Sequence, residues 1–431
     1  MKDSEIEWIG EIPEDWRISA IKNLFNIISG ATPKSDVSEY WDGDIVWITP
    51  SDYKTEDVFV CQGKRNISLP GLNSCSTTII PKHSIIFSKR APIGLVAINE
   101  KELCTNQGCL SCVNVSNQNI KYFYYVMSVC TEQFELIGSG TTFKEISASK
   151  FAQFSVPLPM LGTQQAISYY LDKKCAAVDR LMENQRLQIE KLKEYKQSLI
   201  TEAVTKGLDK TVPLKSSGVE WIGDIPNHWV VRKLKTTCKI CGRIGFRGYK
   251  QSDLVDSGEG AITLSPSNMQ NMRLDVTKCS YLSWEKYYES PEIQVRVGDV
   301  LFVKTGSTYG KTSIVNFLPI EATINPQIVV LKEISSKSSY LNYFFQTKCL
   351  QYQVQISVVG GTIPTISQDK ISRYDVVLPP ISEQQQIAEY LDKKCAEIDG
   401  LISIKQQKIE KLTEYKKSLI YEYVTGKKQV G

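Results

Sequence analysis

Few residues in this 431-residue chain have the types and spacing that chemistry demands. The stretch "GSTYGKT", Gly306 to Thr312, invites a nucleotide-binding reading. A phosphate loop needs four residues between its first glycine and Gly-Lys-Thr, because loop length sets how the amides curl around phosphate. Here there are three. Two thiol pairs at CxxC spacing, Cys109–Cys112 and Cys238–Cys241, could offer metal ligands. Zinc takes four, and these pairs lie too far apart for the usual ribbon, so buried structural thiols are expected and no metal. The only histidines are His83, after a turn proline, and His228; neither is expected to be a general base. No catalytic residue is assigned, and no active site is expected.

The rest of the chain must then position binding residues. Its length allows two to four domains. Its 42% hydrophobic and 23% charged residues are ordinary for a globular protein. No apolar run approaches the ~18 residues of a membrane span. The start, "MKDSEIEWIGEIPEDW", is too acidic and polar for a signal peptide. The twelve cysteines form no framework, which suggests reduced thiols in a cytoplasmic protein. The formal net charge is only +4; residues 1–157 hold 14 basic and 18 acidic groups, whereas 216–377 hold 18 and 14.

The chain is a tandem repeat. "IEKLKEYKQSLI" from Ile189 returns as "IEKLTEYKKSLI" from Ile409, and 22 of 36 positions are identical between Tyr170–Thr205 and Tyr390–Thr425. "EWIGEIPEDW" at Glu7 returns as "EWIGDIPNHW" at Glu220, with His228 in place of Asp15. "VPLPMLGTQQAISYYLD" from Val156 pairs with "VVLPPISEQQQIAEYLD" from Val376. This divides the chain into a large domain, 1–157, a helical spacer and linker, 158–215, a second large domain, 216–377, and a second helical spacer, 378–431.

Each helix is expected to start at an N-cap, Thr163 or Ser382, and to run about 40 residues, roughly 60 Å. A coiled-coil seam is read at Ile167, Leu171, Val178, Leu181, Leu192, Tyr195 and Leu199, and at Ile387, Leu391, Ile398, Leu401, Leu412, Tyr415 and Leu419. Lys174, Gln185 and Gln188 interrupt the first seam, and Lys394, Lys405 and Lys408 the second. Two such helices in one chain suit an antiparallel pair with a pseudo-two-fold axis, matching the two-fold of duplex DNA. Polar residues off the seam repeat as well: Glu190, Lys191, Glu194, Lys196 and Ser198 with Glu410, Lys411, Glu414, Lys416 and Ser418. Two copies of one outward face suggest two copies of one protein partner.

The large domains read as mixed α/β, with β-branched runs such as "DIVWITP" and "QIVVLKE" between turn-rich loops. Several blocks carry a resemblance: "SGATPKSDVSEYWDGDIVWITPSDY", "SKRAPIGLVAINEKELCTNQG", "KTGSTYGKTSIVN" with "ATINPQ", "LPPISEQQQIAEYLD" and "GVEWIGDIPNHW". In this order they resemble the specificity subunit of a type I restriction–modification system over nearly the whole chain. The resemblance implies two α/β target recognition domains, separated and joined by two long antiparallel coiled-coil helices. Each domain would read one half of an asymmetric, bipartite DNA target. The helices would hold two methyltransferase subunits, with restriction (nuclease–translocase) subunits joining that complex. Methyl donor, ATP and Mg²⁺ would belong to those partners, leaving this chain no cofactor. No Asp/Asn-Pro-Pro-aromatic stretch is present to hold a flipped adenine.

Base edges are read by Arg, Lys, Asn and Gln, and phosphates by Lys, Arg, Ser and Thr. The loop clusters of those types are Thr32, Lys34 and Ser35; Lys64 and Arg65; Ser88, Lys89 and Arg90; and Thr141 and Thr142. The second domain offers Arg243, Arg247, Tyr249 and Lys250; Lys304, Ser307, Thr308, Tyr309 and Lys311; and Thr362. The alternative function is a free-standing sequence-specific DNA-binding protein without an enzyme partner.

Overall fold

The computed structural model describes residues 1–90, 92–140, 144–359 and 363–430. The chain forms two compact units: residues 1–185 with 406–431, and residues 186–405. Each unit therefore combines one large domain, the start of the helix that follows it and the end of the other helix.

In the first unit the two larger sheets are built from β1 (Phe25–Ser29), β2 (Trp41–Ile48), β3 (Phe59–Val60), β4 (Arg65–Ile67), β5 (Ile85–Ser88), β6 (Val96–Asn99), β7 (Cys104–Thr105) and β8 (Cys109–Asn114). One sheet runs β1-β8-β5-β6-β3 and a smaller one β7-β2-β4. Both β5 and β6 are buried throughout, which accounts for the apolar runs Ile85–Phe87 and Val96–Ile98 in place of alternation. The helix α1 (Ile120–Ser128) is capped by Asn119, whose side chain accepts from Tyr122 N. It buries six consecutive residues, Tyr122–Met127.

The second unit repeats this plan with β9 (Lys239–Gly242), β10 (Leu254–Val255), β11 (Gly260–Leu264), β12 (Met269–Gln270), β13 (Arg273–Leu274), β14 (Ser280–Ser283), β15 (Val300–Val303), β16 (Thr312–Ile314), β17 (Ala322–Ile324) and β18 (Ile328–Lys332). The sheets run β9-β18-β15-β16-β13-β12 and β10-β14-β11-β17. The parallel pair β2·β7 returns as β11·β17.

The long helices are α2 (Leu161–Lys206) and α3 (Ile381–Val424). Thr163 and Ser382 lie inside them rather than at N-caps; Gln164 N already bonds Met160 O, and Gln384 N bonds Pro380 O. Gln164 and Gln384 repeat for a structural reason: both are buried. Gln164 Nε2 donates to Pro159 O while its Oε1 accepts from Asn119 N. Gln384 Nε2 donates to Pro379 O and its Oε1 accepts from Lys337 N.

Within each unit the helices run antiparallel. In the first, Tyr170 meets Tyr423, Asp179 meets Lys416 at 2.7 Å, and Met182 meets Thr413. In the second, Lys196 meets Asp399 at 2.7 Å and Gln188 meets Lys405 at 2.6 Å. The seam agrees with the reading above at Ile167, Leu171, Val178, Ile387, Leu391, Ile398 and Leu419, all buried, and departs from it in the middle of each helix. It buries Cys175, Val178, Met182, Gln185 and Ile189, and Cys395, Ile398 and Ile409. Leu181, Tyr195, Leu401 and Tyr415 are instead 49–57% exposed. Lys174 is exposed beside the seam, not on it. Past Val178 and Ile398 a 3–4 repeat continues equally well through Leu181 or Met182 and through Leu401 or Ile402, and side-chain type does not choose between them.

The helix ends are tied to the domains by two buried phenols. Tyr122 Oη lies 3.0 Å from Val424 O and 3.3 Å from Pro157 O. Tyr340 Oη lies 3.0 Å from Val204 O and 2.9 Å from Val377 O. Burial pushes both phenols well above the usual range, so they remain neutral donors. Tyr122→Phe leaves buried carbonyls without their donor and is expected to cost about 1–3 kcal/mol, read as a lower urea midpoint. An unchanged midpoint would show that the hydroxyl contributes nothing net.

Candidate DNA interface

The small sheet of each unit ends in the same arrangement of three loops. In the first unit β2 runs into Thr49-Pro50-Ser51-Asp52. The Asp52 carboxylate accepts from Thr49 N and Oγ1, both at 2.7 Å, and from Lys64 N at 3.1 Å. The Thr49 and Ser51 hydroxyls lie 2.9 Å apart. After β7, Asn106 N donates to Ile48 O at 2.9 Å, and Asn106 Oδ1 accepts from Gly108 N at 2.9 Å. Gly108 O in turn accepts from Lys89 N at 2.9 Å.

In the second unit β11 runs into Ser265-Pro266-Ser267-Asn268. Asn268 Oδ1 accepts from Ser265 N at 2.9 Å and Oγ at 3.0 Å, and the Ser265 and Ser267 hydroxyls lie 2.7 Å apart. Asn325 N donates to Leu264 O at 2.9 Å, Asn325 Oδ1 accepts from Gln327 N at 3.0 Å, and Gln327 O accepts from Lys304 N at 2.8 Å. Asn268 Nδ2 donates to Lys278 O at 2.8 Å, where Asp52 accepts from Lys64 N. An open cavity of about 480 Å³ lies beside this turn, lined by Ser267, Thr277, Lys278 and Ser280 among others.

The framework of each junction is consumed internally while its rim stays exposed. Thr32, Ser51, Lys64, Arg65 and Gln107 form the first rim; Ser267, Lys278 and Gln327 form the second. Hydroxyls, amides and cations of this kind suit base edges and phosphates.

The structure sorts the residues expected from sequence. Thr32, whose hydroxyl bonds Gln107 Oε1, and the exposed Lys34 and Ser35 flank the first junction. Lys64 and Arg65 belong to it. Ser88 is buried, its hydroxyl donating to Pro92 O and accepting from Leu95 N, so it shapes a turn and cannot meet DNA. Lys89 and Arg90 both pair with Glu145, at 2.8 and 3.3 Å. Thr141, Thr142 and Thr362 lie outside the described residues.

In the second unit Arg243 is also a correction. It is buried over Tyr249, its guanidinium bonded to Ile324 O, Thr323 Oγ1 and Arg247 O, so its charge holds the fold. Arg247 pairs with Glu292 at 3.4 Å, and Lys250 is exposed. Ser307 and Thr308 are exposed, while Tyr309 packs on the core. Lys304 is half-buried, and Lys311 Nζ reaches Pro266 O at 3.4 Å. The "GSTYGKT" loop joins the antiparallel strands β15 and β16 instead of opening a helix.

The thiol pairs also fall into place. Cys109 and Cys112 lie three apart on β8, so they face opposite sides, and they join different core clusters. Cys238 and Cys241 likewise pack into different clusters. His228 Nε2 lies 2.7 Å from Glu383 Oε1, and Trp229 Nε1 donates to Glu383 Oε2.

On the helices Glu190, Lys191, Glu194 and Ser198, and Glu410, Lys411, Glu414 and Ser418, are exposed. Lys196 and Lys416 are half-buried ion-pair partners of Asp399 and Asp179. Packing within each unit therefore explains the identity of these two lysines, and no partner is needed for it.

Sequence reasoning missed Ser51, Gln107, Ser267, Lys278 and Gln327. The signal was present: Thr-Pro-Ser-Asp at Thr49 and Ser-Pro-Ser-Asn at Ser265, followed by Asn106-Gln107 and by Asn325-Pro326-Gln327.

These features define a duplicated α/β protein with one polar loop junction per repeat and antiparallel helices. The chain belongs to the family described as the type I restriction modification DNA specificity domain, whose pattern matches residues 13–191 and 226–414. It is 27% identical to the type I restriction enzyme MjaIX specificity subunit of Methanocaldococcus jannaschii, covering 98% of this chain and 95% of that one. Against the EcoKI specificity subunit of Escherichia coli the identity is 19%, over 91% and 84% of the two chains. The fold is similar to a chain solved in work on complex assembly and conformational transition of the type I R-M system. That match has a TM-score of 0.70 at 18% identity, over 96% of this chain and 98% of that one. The HsdS subunit from Thermoanaerobacter tengcongensis matches at a TM-score of 0.51 and 16% identity, over 96% and 98%.

Proposed function

We propose that this chain is the DNA-recognition subunit of a type I restriction–modification complex. It binds an asymmetric, bipartite target, one half per unit, and holds two methyltransferase subunits, through which restriction subunits join. The chain itself is non-catalytic and acts in the cytoplasm, where its DNA is. Methyl donor, ATP and Mg²⁺ are bound by the partners.

The observation that carries this reading is the repeated junction. Two domains that have lost most sequence similarity retain the same turn, the same Asn-centred loop and the same backbone bonds. The exposed side chains on that framework differ, with Arg65 and Lys64 on one and Ser280 and Lys278 on the other. A fixed framework with a varied rim suits two readers of different sequences.

The test is a map of methylated adenines, with the methyltransferase expressed alone or together with this chain. A split motif that needs this chain supports the reading. No motif in either case, with an active methyltransferase, would favour a free-standing DNA-binding protein.

A further inference from the structure

Arg65 stands apart from the other cations on the first junction. Its guanidinium lies over the Trp41 ring, 3.9 Å from the centroid. The side chain is exposed, and among the described residues no carboxylate pairs with it. Stacking occupies the face of the guanidinium but leaves its edge N–H groups free.

The platform beneath Arg65 is built for position. Trp41 Nε1 donates to Lys34 O, and Trp47 Nε1 to Ala31 O, both at 3.0 Å. The two indoles meet edge to face at 5.2 Å. A bulge lets Trp41 and Ile45 both face Ile67 across the ladder, with Asp42 at a φ of 60°. Such bulges re-aim a side chain, and here it is the ring that supports Arg65. Arg65 also sits opposite Trp47 on β4, beside Lys64, whose backbone N–H bonds Asp52 of the junction. By strand register the second unit has Ser280 at this place, opposite Thr263.

We propose that Arg65 is a specificity-determining residue that reads a guanine in the half-site bound by the first unit. This rests on the DNA-recognition reading above. A fork of N–H donors held in one plane matches the O6 and N7 acceptors on the major-groove edge of guanine. A mobile lysine serves a phosphate equally well; a stacked arginine is oriented beforehand, so less freedom is lost on contact.

The experiment uses the full chain co-expressed with its methyltransferase, with methylated adenines mapped for wild type, Arg65→Ala, Arg65→Gln and Arg65→Lys. Arg65 is exposed, so the variants should match wild type in thermal melting. In wild type one half of the motif should contain an invariant G·C pair. In the Ala and Gln variants that single position should become degenerate, with the other half and the spacer unchanged. Preference at that position should fall roughly 5- to 150-fold. The Lys variant should retain part of it.

Uniform loss of methylation with an unchanged motif would identify a phosphate contact and overturn the proposal. So would an unchanged motif at an unchanged level. If the wild-type chain directs no split motif, the recognition reading itself fails, and this assignment with it.

Discussion

Removing four residues from each long helix, at matched positions near Gln188 and Lys408, is expected to shorten the DNA spacer by about one base pair and leave both half-sites intact. Four helical residues advance by about 6 Å and by about 40° beyond a full turn. One base pair advances ~3.4 Å and ~34–36°, so the angular change suits one base pair. The cuts must be paired because, within each unit, residue numbers fall along one helix as they rise along the other, as Asp179–Lys416 and Lys196–Asp399 show. Methylation mapping reads the result directly. Altered half-sites with an unchanged spacer would refute the idea that the helices act as the ruler.

A second large effect is expected on the helix flank. In the first unit Leu181 and Tyr415, and in the second Leu401 and Tyr195, are 49–57% exposed. Each immediately precedes a residue turned toward the other helix: Met182, Lys416 and Lys196, which meet Thr413, Asp179 and Asp399, and the half-buried Ile402. In an antiparallel pair such positions lie on the same flank of both helices, so each unit carries one leucine and one tyrosine there. Glu194 and Glu414 lie next in sequence to the tyrosines. Tyrosine is enriched among the few interface residues whose truncation costs about 2 kcal/mol or more, roughly 30-fold in affinity. On the proposed assembly with two methyltransferases, Tyr195→Ala is expected to remove one of them, Tyr415→Ala the other, and the double variant both. Sedimentation would show the mass falling in two steps, while DNA binding by the chain alone persists. Full assembly of the double variant would place the docking surface elsewhere.

The architecture was legible because duplication left a second copy to check against. The repeated Trp-Ile-Gly stretch, the Leu-Pro joint and the helix each occur twice, so no single weak pattern had to carry the fold. The seam was legible over the first turns of each helix but not past Val178 and Ile398. Leu181 and Tyr195 fit a 3–4 repeat as well as Met182 and Ile189 do, yet Leu181 and Tyr195 were the ones left outside. Individual DNA-contact residues were harder still, because residue type does not reveal burial. Ser88 and Arg243 are spent on backbone carbonyls, while the rim residues Ser51 and Gln107 lacked the charge that attracts notice. The Thr-Pro-Ser-Asp and Ser-Pro-Ser-Asn turns could have been found by aligning the two large domains strand by strand.

The twelve thiols have a use of their own. Eight are buried, and they fall in both units; Cys61, Cys75, Cys241 and Cys279 are partly exposed. Burial pushes Cys109 and Cys238 up to about 12 and Cys104 and Cys175 up to about 11, so these sulfurs stay protonated and slow to alkylate until local opening admits water. Cys175 and Cys395 sit on the helix seams, one in each unit, while Cys112 and Cys349 lie within the large domains. The native sequence thus carries a set of built-in clocks. Timed alkylation would record, without any engineered label, whether DNA quiets the domains alone or the helical seams as well.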